Sequence, residues 1–161
     1  MARAEDTQLT ESKLKAAFLF NFVKFVEWPP AAFADTNSPL TIGILGDNPF
    51  DGDLAAIIHD KTINNRTLAI KPLRSVTEVT NCQVLFICAS VKTKIPETIA
   101  GLGSASILTV GDTDRFVETG GMINFVKEGK KIRFEINEAA AKRAGLRVSS
   151  KLLSLASRTI R

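Results

Sequence analysis

Histidine and cysteine are scarce in this 161-residue chain: it has one histidine, His59, and two cysteines, Cys82 and Cys88. Neither their number nor their spacing matches a zinc site. His59 lies in IIHDK, a helix end, where a solvated or capping imidazole is the ordinary role. The cysteines bracket the apolar run NCQVLFICAS. Six residues apart on one strand, their Cα atoms would be roughly 20 Å apart. A disulfide needs less than about 7 Å, so the two thiols are expected to stay free and buried. Long hydrophobic runs are also missing, which excludes a membrane-spanning helix. The opening MARAEDTQLT is polar and lacks the basic start and apolar core of a signal peptide. Two readings stay open, a cytosolic protein or one whose signal has been removed. No G-x-G-x-x-G follows the first strand; GILGDNPF keeps only Gly46 in the turn, so no dinucleotide site is expected. The net charge is +4, but lysine and arginine are spread without interleaved aromatics, and no nucleic-acid partner is expected. No nucleophile, base and oxyanion donor assemble in one place, which argues against an enzyme.

What the chain has in abundance is phenylalanine near its start. KAAFLFNFVKFVEWPP holds Phe18, Phe20, Phe22 and Phe25, then the only tryptophan, Trp28. Residues 1–10 read as a flexible tail, with Thr10 capping a helix from about Glu11 to Trp28. Asn21, Lys24 and Glu27 share one narrow polar stripe, so most of the remaining surface is buried or meets a partner. Pro29 and Pro30 stop the helix.

Beyond it, LTIGILG (40–46), RTLAIKPL (66–73), CQVLFICA (82–89) and SILTVGD (106–112) read as strands. Helices are expected over about 50–59 and 96–102. GMINFVKEGKKIRFEIN (121–137) reads as a hairpin turning near Glu128-Gly129. Helices over 139–144 and 150–158 follow, the first stopped by Gly145. Strands alternating with helices predict a parallel sheet covered on both sides. The fold class is therefore α/β: one three-layer α/β/α sandwich over residues 11–161, with a mixed, mostly parallel sheet and a C-terminal β-hairpin. It is Rossmann-like without a dinucleotide motif.

In such sheets ligands sit outside the carboxyl ends of the strands. Asp47 and Asp112 both follow strands directly and could bind a cation or a ligand amine; equally, they could cap turns. Arg147 beside the start of the last helix could form a small anion site, while Ser149 or Ser150 could simply cap that helix.

Four stretches in order, KAAFLFNFVKFVEWPP, CQVLFI, LTVGDTDRFVETGGMINFV and KIRFEINEAAAKRAGLRVSSKLLSLA, resemble the YfiR-like family of bacterial periplasmic proteins over about residues 11–157. The resemblance implies a periplasmic, non-catalytic, cofactor-free regulator. Its partner would be an inner-membrane diguanylate cyclase of YfiN type, which it would hold inactive, lowering cyclic-di-GMP and biofilm formation. It also implies an outer-membrane lipoprotein that sequesters it. Alternatively, the chain is a small-ligand-sensing module for another receptor, such as a sensor kinase. Of the family's two disulfides, only Cys82 is matched; its partner falls near Gly43 and the second pair near Val117 and Asn124, none of them cysteine. The family's ligand pocket implies a site at Arg147, with Ser149 where the family has histidine. Phe18, Phe22 and Phe25 are the candidates for a partner face or a homodimer.

Overall fold

Strands buried along their whole length set the middle of the sheet. In this computed structural model the backbone is described from residue 4 to residue 161, with side chains from residue 11 onward. The chain runs α1 (Ala4–Lys24), β1 (Val26–Glu27), β2 (Leu40–Leu45), α2 (Asp53–Ile58), β3 (Thr62–Ile63), β4 (Arg66–Leu73), β5 (Val84–Ile87), α3 (Ile95–Leu102) and β6 (Leu108–Gly111). It continues through β7 (Ile123–Glu128), β8 (Lys131–Asn137), α4 (Glu138–Arg143), β9 (Arg147–Val148), α5 (Ser150–Leu155) and β10 (Arg158–Ile160). The main sheet has the order β10-β8-β7-β6-β5-β2-β4-β3. β4, β2, β5, β6 and β7 are parallel. β8 returns antiparallel to β7, and β3 antiparallel to β4.

Period-two alternation divides the core between two faces. Val84 and Phe86 of β5 point into one cluster, with Ile42 and Ile44 of β2, Leu19 and Phe22 of α1, Leu54 of α2 and Leu152 of α5. Leu85 and Ile87 point into the other, with Leu45, Leu73, Phe116 and Ile95 of α3. Every residue of β5 and β6 is buried, as expected for strands covered on both sides. The sandwich and the mixed, mostly parallel sheet are those the sequence predicted.

The Phe-rich helix packs on the first face. Ala16, Leu19, Phe22 and Val23 are wholly buried. The Phe22 ring meets Phe134 at 4.9 Å and Phe125 at 5.4 Å between centroids, joining α1 to the β7–β8 hairpin. Lys13, Asn21, Lys24 and Glu27 stay exposed, the polar stripe read from the sequence. On the second face Phe116 fills a space that two glycines leave open. A Cβ on Gly121 would lie 2.2 Å from its ring, and one on Gly111 2.8 Å.

Several boundaries differ from the sequence-based expectation. α1 begins at Ala4, so Thr10 lies within the helix rather than at its start; of the expected tail, residues 1–3 lie outside the described residues. α1 ends at Lys24 rather than Trp28, because Val26 and Glu27 pair with Val148 and Arg147. α5 ends at Leu155, with Ala156 extended at φ −68°, ψ 143°. The following Arg158–Ile160 forms β10 beside Glu135–Asn137. A long-range pairing overrides local helical propensity there. The hairpin turn does fall at Gly129, which sits at φ 64°, as a two-residue turn of primed type requires.

Candidate functional site

The chain leaves β2 in opposite directions, to β4 on one side and through β5 and β6 to β7 on the other. The carboxyl ends of β2 and β5 therefore make the switch point where α/β sheets commonly bind ligands. Here it is closed. The Asp47 N–H donates to Ser90 Oγ at 2.8 Å. Gly46 sits at φ +104°, and a Cβ there would lie 2.6 Å from the same oxygen. Below, the Cys88 thiol is pushed up to about 12 by burial, with the carboxylates of Asp112 and Asp47 adding to the shift. It is a core thiol and not a nucleophile.

The open space lies further along the same rim. A cavity of about 470 Å³ is lined by Lys15, Asp112, Thr113, Asn124, Phe125, Lys127 and their neighbours. Asp112, at the end of β6, is held by Lys15 of α1, with Nζ 3.2 Å from Oδ2. Lys15 also lies 3.7 Å from Glu11, which pairs with Lys127. Burial alone would raise the Glu11 carboxyl, but the Lys127 hydrogen bond and the Lys15 charge outweigh it, so it titrates below its ordinary 4.5. The result is a chain of alternating charges between α1 and the hairpin. Asn124 of β7 is 2% exposed, and its amide N–H donates to the Thr113 carbonyl at 2.9 Å.

Among the described residues, Asp112 Oδ1, Thr113 Oγ1 and Asn124 Oδ1 are buried without a hydrogen-bond partner. All three residues line this cavity. Leaving such an atom unpaired costs about 1–3 kcal/mol; each is enclosed by protein with almost no accessible surface, so the cost sits in the packing behind the cavity wall.

Arg147 and Ser149 lie at the opposite end of the sheet from Asp47 and Asp112. β9 pairs with β1 just before Trp28, whose indole bonds to Gln83 at the start of β5. Arg147 is largely exposed, with Nη1 3.9 Å from Glu27. Ser149 caps α5, its Oγ accepting from the Lys151 N–H at 3.2 Å, and its own N–H donates to the Phe25 carbonyl. The four candidate ligand residues thus fall into two groups on opposite rims. Of the three candidate partner residues, Phe22 is wholly inside the core. Phe18 packs edge-on to Phe134. Phe25 is half-buried, with the ammonium groups of Lys24 and Lys151 5.6 and 5.8 Å from its ring centre.

Of the residues lining this cavity the sequence reading singles out Asp112 as a candidate, and not Lys15, Thr113 or Asn124. The one available signal was Asn124 itself, a lone amide inside the apolar run MINFV.

The geometry defines a small α/β sandwich with a polar cavity at one rim. The family model of DUF4154, described as YfiR/HmsC-like, matches residues 12–157. The chain belongs to the YfiR/HmsC-like family. No curated protein matches its sequence significantly. Two solved structures share the fold. A conserved domain protein from Vibrio cholerae O1 biovar El Tor matches with a TM-score of 0.59 at 12% identity, over 92% of this chain and 60% of that one. The ABC domain in complex with L-Trp from Streptococcus pneumonia matches with a TM-score of 0.57 at 14% identity, over the same shares. The chain thus spans about three-fifths of each of those proteins, and the likeness is one of fold. Among the described residues, no helix is long and apolar enough to cross a membrane.

Proposed function

We propose that this protein is a periplasmic regulator that binds the periplasmic part of an inner-membrane diguanylate cyclase of YfiN type and holds it inactive. The observation that carries this reading is the family match over residues 12–157. Family membership supports regulation of cyclic-di-GMP signalling as the general role. The reading is of a binding protein, not a catalyst. An outer-membrane lipoprotein that sequesters it, and a homodimer, are further partners. Phe25, flanked by two lysines beside the exposed Arg147, supplies the contact surface at the amino rim.

A regulator biases a two-state receptor only through its differential affinity for the two states. A tenfold preference corresponds to about 1.4 kcal/mol, so roughly 3 kcal/mol would nearly silence a balanced cyclase. Deletion of the gene in its own host is expected to raise cyclic-di-GMP, and wild type to restore it. Phe25→Ala is expected to fold but complement poorly. Unchanged cyclic-di-GMP on deletion, together with no binding to the periplasmic domain of a neighbouring cyclase, overturns the reading. A second reading, a ligand-sensing module for another receptor such as a sensor kinase, is favoured by the Asp112 cavity.

A further inference from the structure

We infer that a second cavity, between α3 and α4 at the amino ends of β6 and β7, is a binding site for a small amphipathic monocarboxylate, an apolar body carrying one carboxylate. This goes beyond the regulatory role and does not depend on which receptor the protein serves.

The walls select the body. The cavity, of about 430 Å³, is lined by Ile99 and Leu102 of α3, Ile107 before β6, Met122 before β7 and Ala140 of α4. Ile99 and Leu102 are only half-buried, so they keep apolar surface that an entering apolar group would take out of water. Met122 is unbranched and adapts to the shape beside it. The volume is within the usual range of small-molecule sites.

Charge selects the head group. Among the described residues that line the cavity, Arg143 of α4 alone is ionisable. Its side chain is exposed. Lys142 beside it pairs with Glu138 at 3.8 Å, one turn back. Arg143 has no such partner on its own helix, since the positions three and four away hold Ala139, Ala140, Leu146 and Arg147.

The helix ends do not take up the guanidinium either. The carbonyls of Ala140, Ala141 and Lys142 accept from the N–H groups of Ala144, Leu146 and Gly145. Those of Ala100 and Leu102, at the end of α3, accept from Gly103 and Ala105. The Ala144 carbonyl accepts from Ser106 Oγ at 2.6 Å. A ligand amine would thus meet a cation and carbonyls that already have donors. A carboxylate would meet the planar fork of N–H groups that suits it. One guanidinium balances one negative charge, whereas a phosphate monoester carries about −1.5 to −2.

The test uses Met122 as a reporter on the cavity wall, since Met1 is the only other methionine. Protein labelled at the methionine methyl groups is titrated with sodium octanoate and with 4-phenylbutyrate, and with octylammonium chloride in parallel, followed by NMR. At least one of the two carboxylates is expected to shift the Met122 methyl signal saturably while the protein stays folded. Arg143→Gln should weaken that probe about tenfold, and Arg143→Lys should weaken it less. Ala105→Phe, at an exposed position of the lining, should fill the cavity and abolish the shift, with circular dichroism to check the fold. The absence of a saturable shift from either carboxylate overturns the inference. So does equal binding of octylammonium, or binding that neither Arg143→Gln nor Ala105→Phe diminishes. Neither result bears on cyclase binding, which is measured separately.

Discussion

The indole N–H of Trp28 donates to the backbone carbonyl of Gln83 at 2.9 Å, tying the end of the aromatic segment to the start of the central strand. The same carbonyl accepts from the Leu108 N–H. The Gln83 side chain, 1% exposed, accepts from Thr41 N–H and donates to the Ala32 carbonyl. One residue thus joins β2, β6 and the loop after α1. Trp28→Phe removes one donor but leaves the carbonyl paired, so it should cost about 0.5–1.5 kcal/mol. Urea denaturation followed by circular dichroism measures it, since the variant has lost its only indole.

Phe22→Ala should be far costlier. The ring is wholly buried against Phe125 and Phe134, and such truncations cost about 3–5 kcal/mol. That is a large share of a typical 5–15 kcal/mol total. Unchanged melting of this variant would mean that α1 does not pack as described.

The two thiols are expected to be inert in the folded protein. Cys82 and Cys88 are free and buried. Burial raises both, against the opposing charge of Lys71 at Cys82, and takes Cys88 to about 12. Alkylation without reductant should add nothing to the native protein at mildly alkaline pH and two labels after unfolding. A Cβ at Gly43 would lie 3.3 Å from Cys82 Sγ, so Gly43→Cys should create a disulfide, provided Leu73 moves aside. Intact mass under non-reducing conditions, two units lower than the reduced form, reads it out.

Acid should loosen the contact between α1 and the hairpin. The folded-state pKa of Glu11 is depressed, so its contribution is fully present above the ordinary 4.5 and is lost as pH falls through the folded value. The stability gap between wild type and Glu11→Gln should therefore be open at neutral pH and close in acid. Melting temperatures across pH 7 to 3, at low salt, follow the gap; one that widens in acid contradicts the pairing with Lys127 and Lys15.

Legibility tracked the range of the interactions. β4 was read to the residue, 66–73, because its alternation and flanking turns are local. β10 has no local signature, and the helix expected over 150–158 overlaps its first residue, because its strand character comes only from Glu135–Asn137, more than twenty positions upstream. Asp112 was visible as an acid at a strand end. Its holder, Lys15, is 97 residues earlier, and no local pattern connects them. Asp47 looked equivalent to Asp112, yet Ser90 closes its side of the rim.

That separation along the chain also governs the order of events in folding. α1 is synthesised well before β7 and β8, whose phenylalanines it covers. Closing so long a loop is entropically costly and slows folding. Until the hairpin forms, Phe18 and Phe22 lack their ring partners Phe125 and Phe134. During that interval the segment best suited to build the core keeps apolar surface in water, the kind of surface that leads to aggregation or capture by a chaperone.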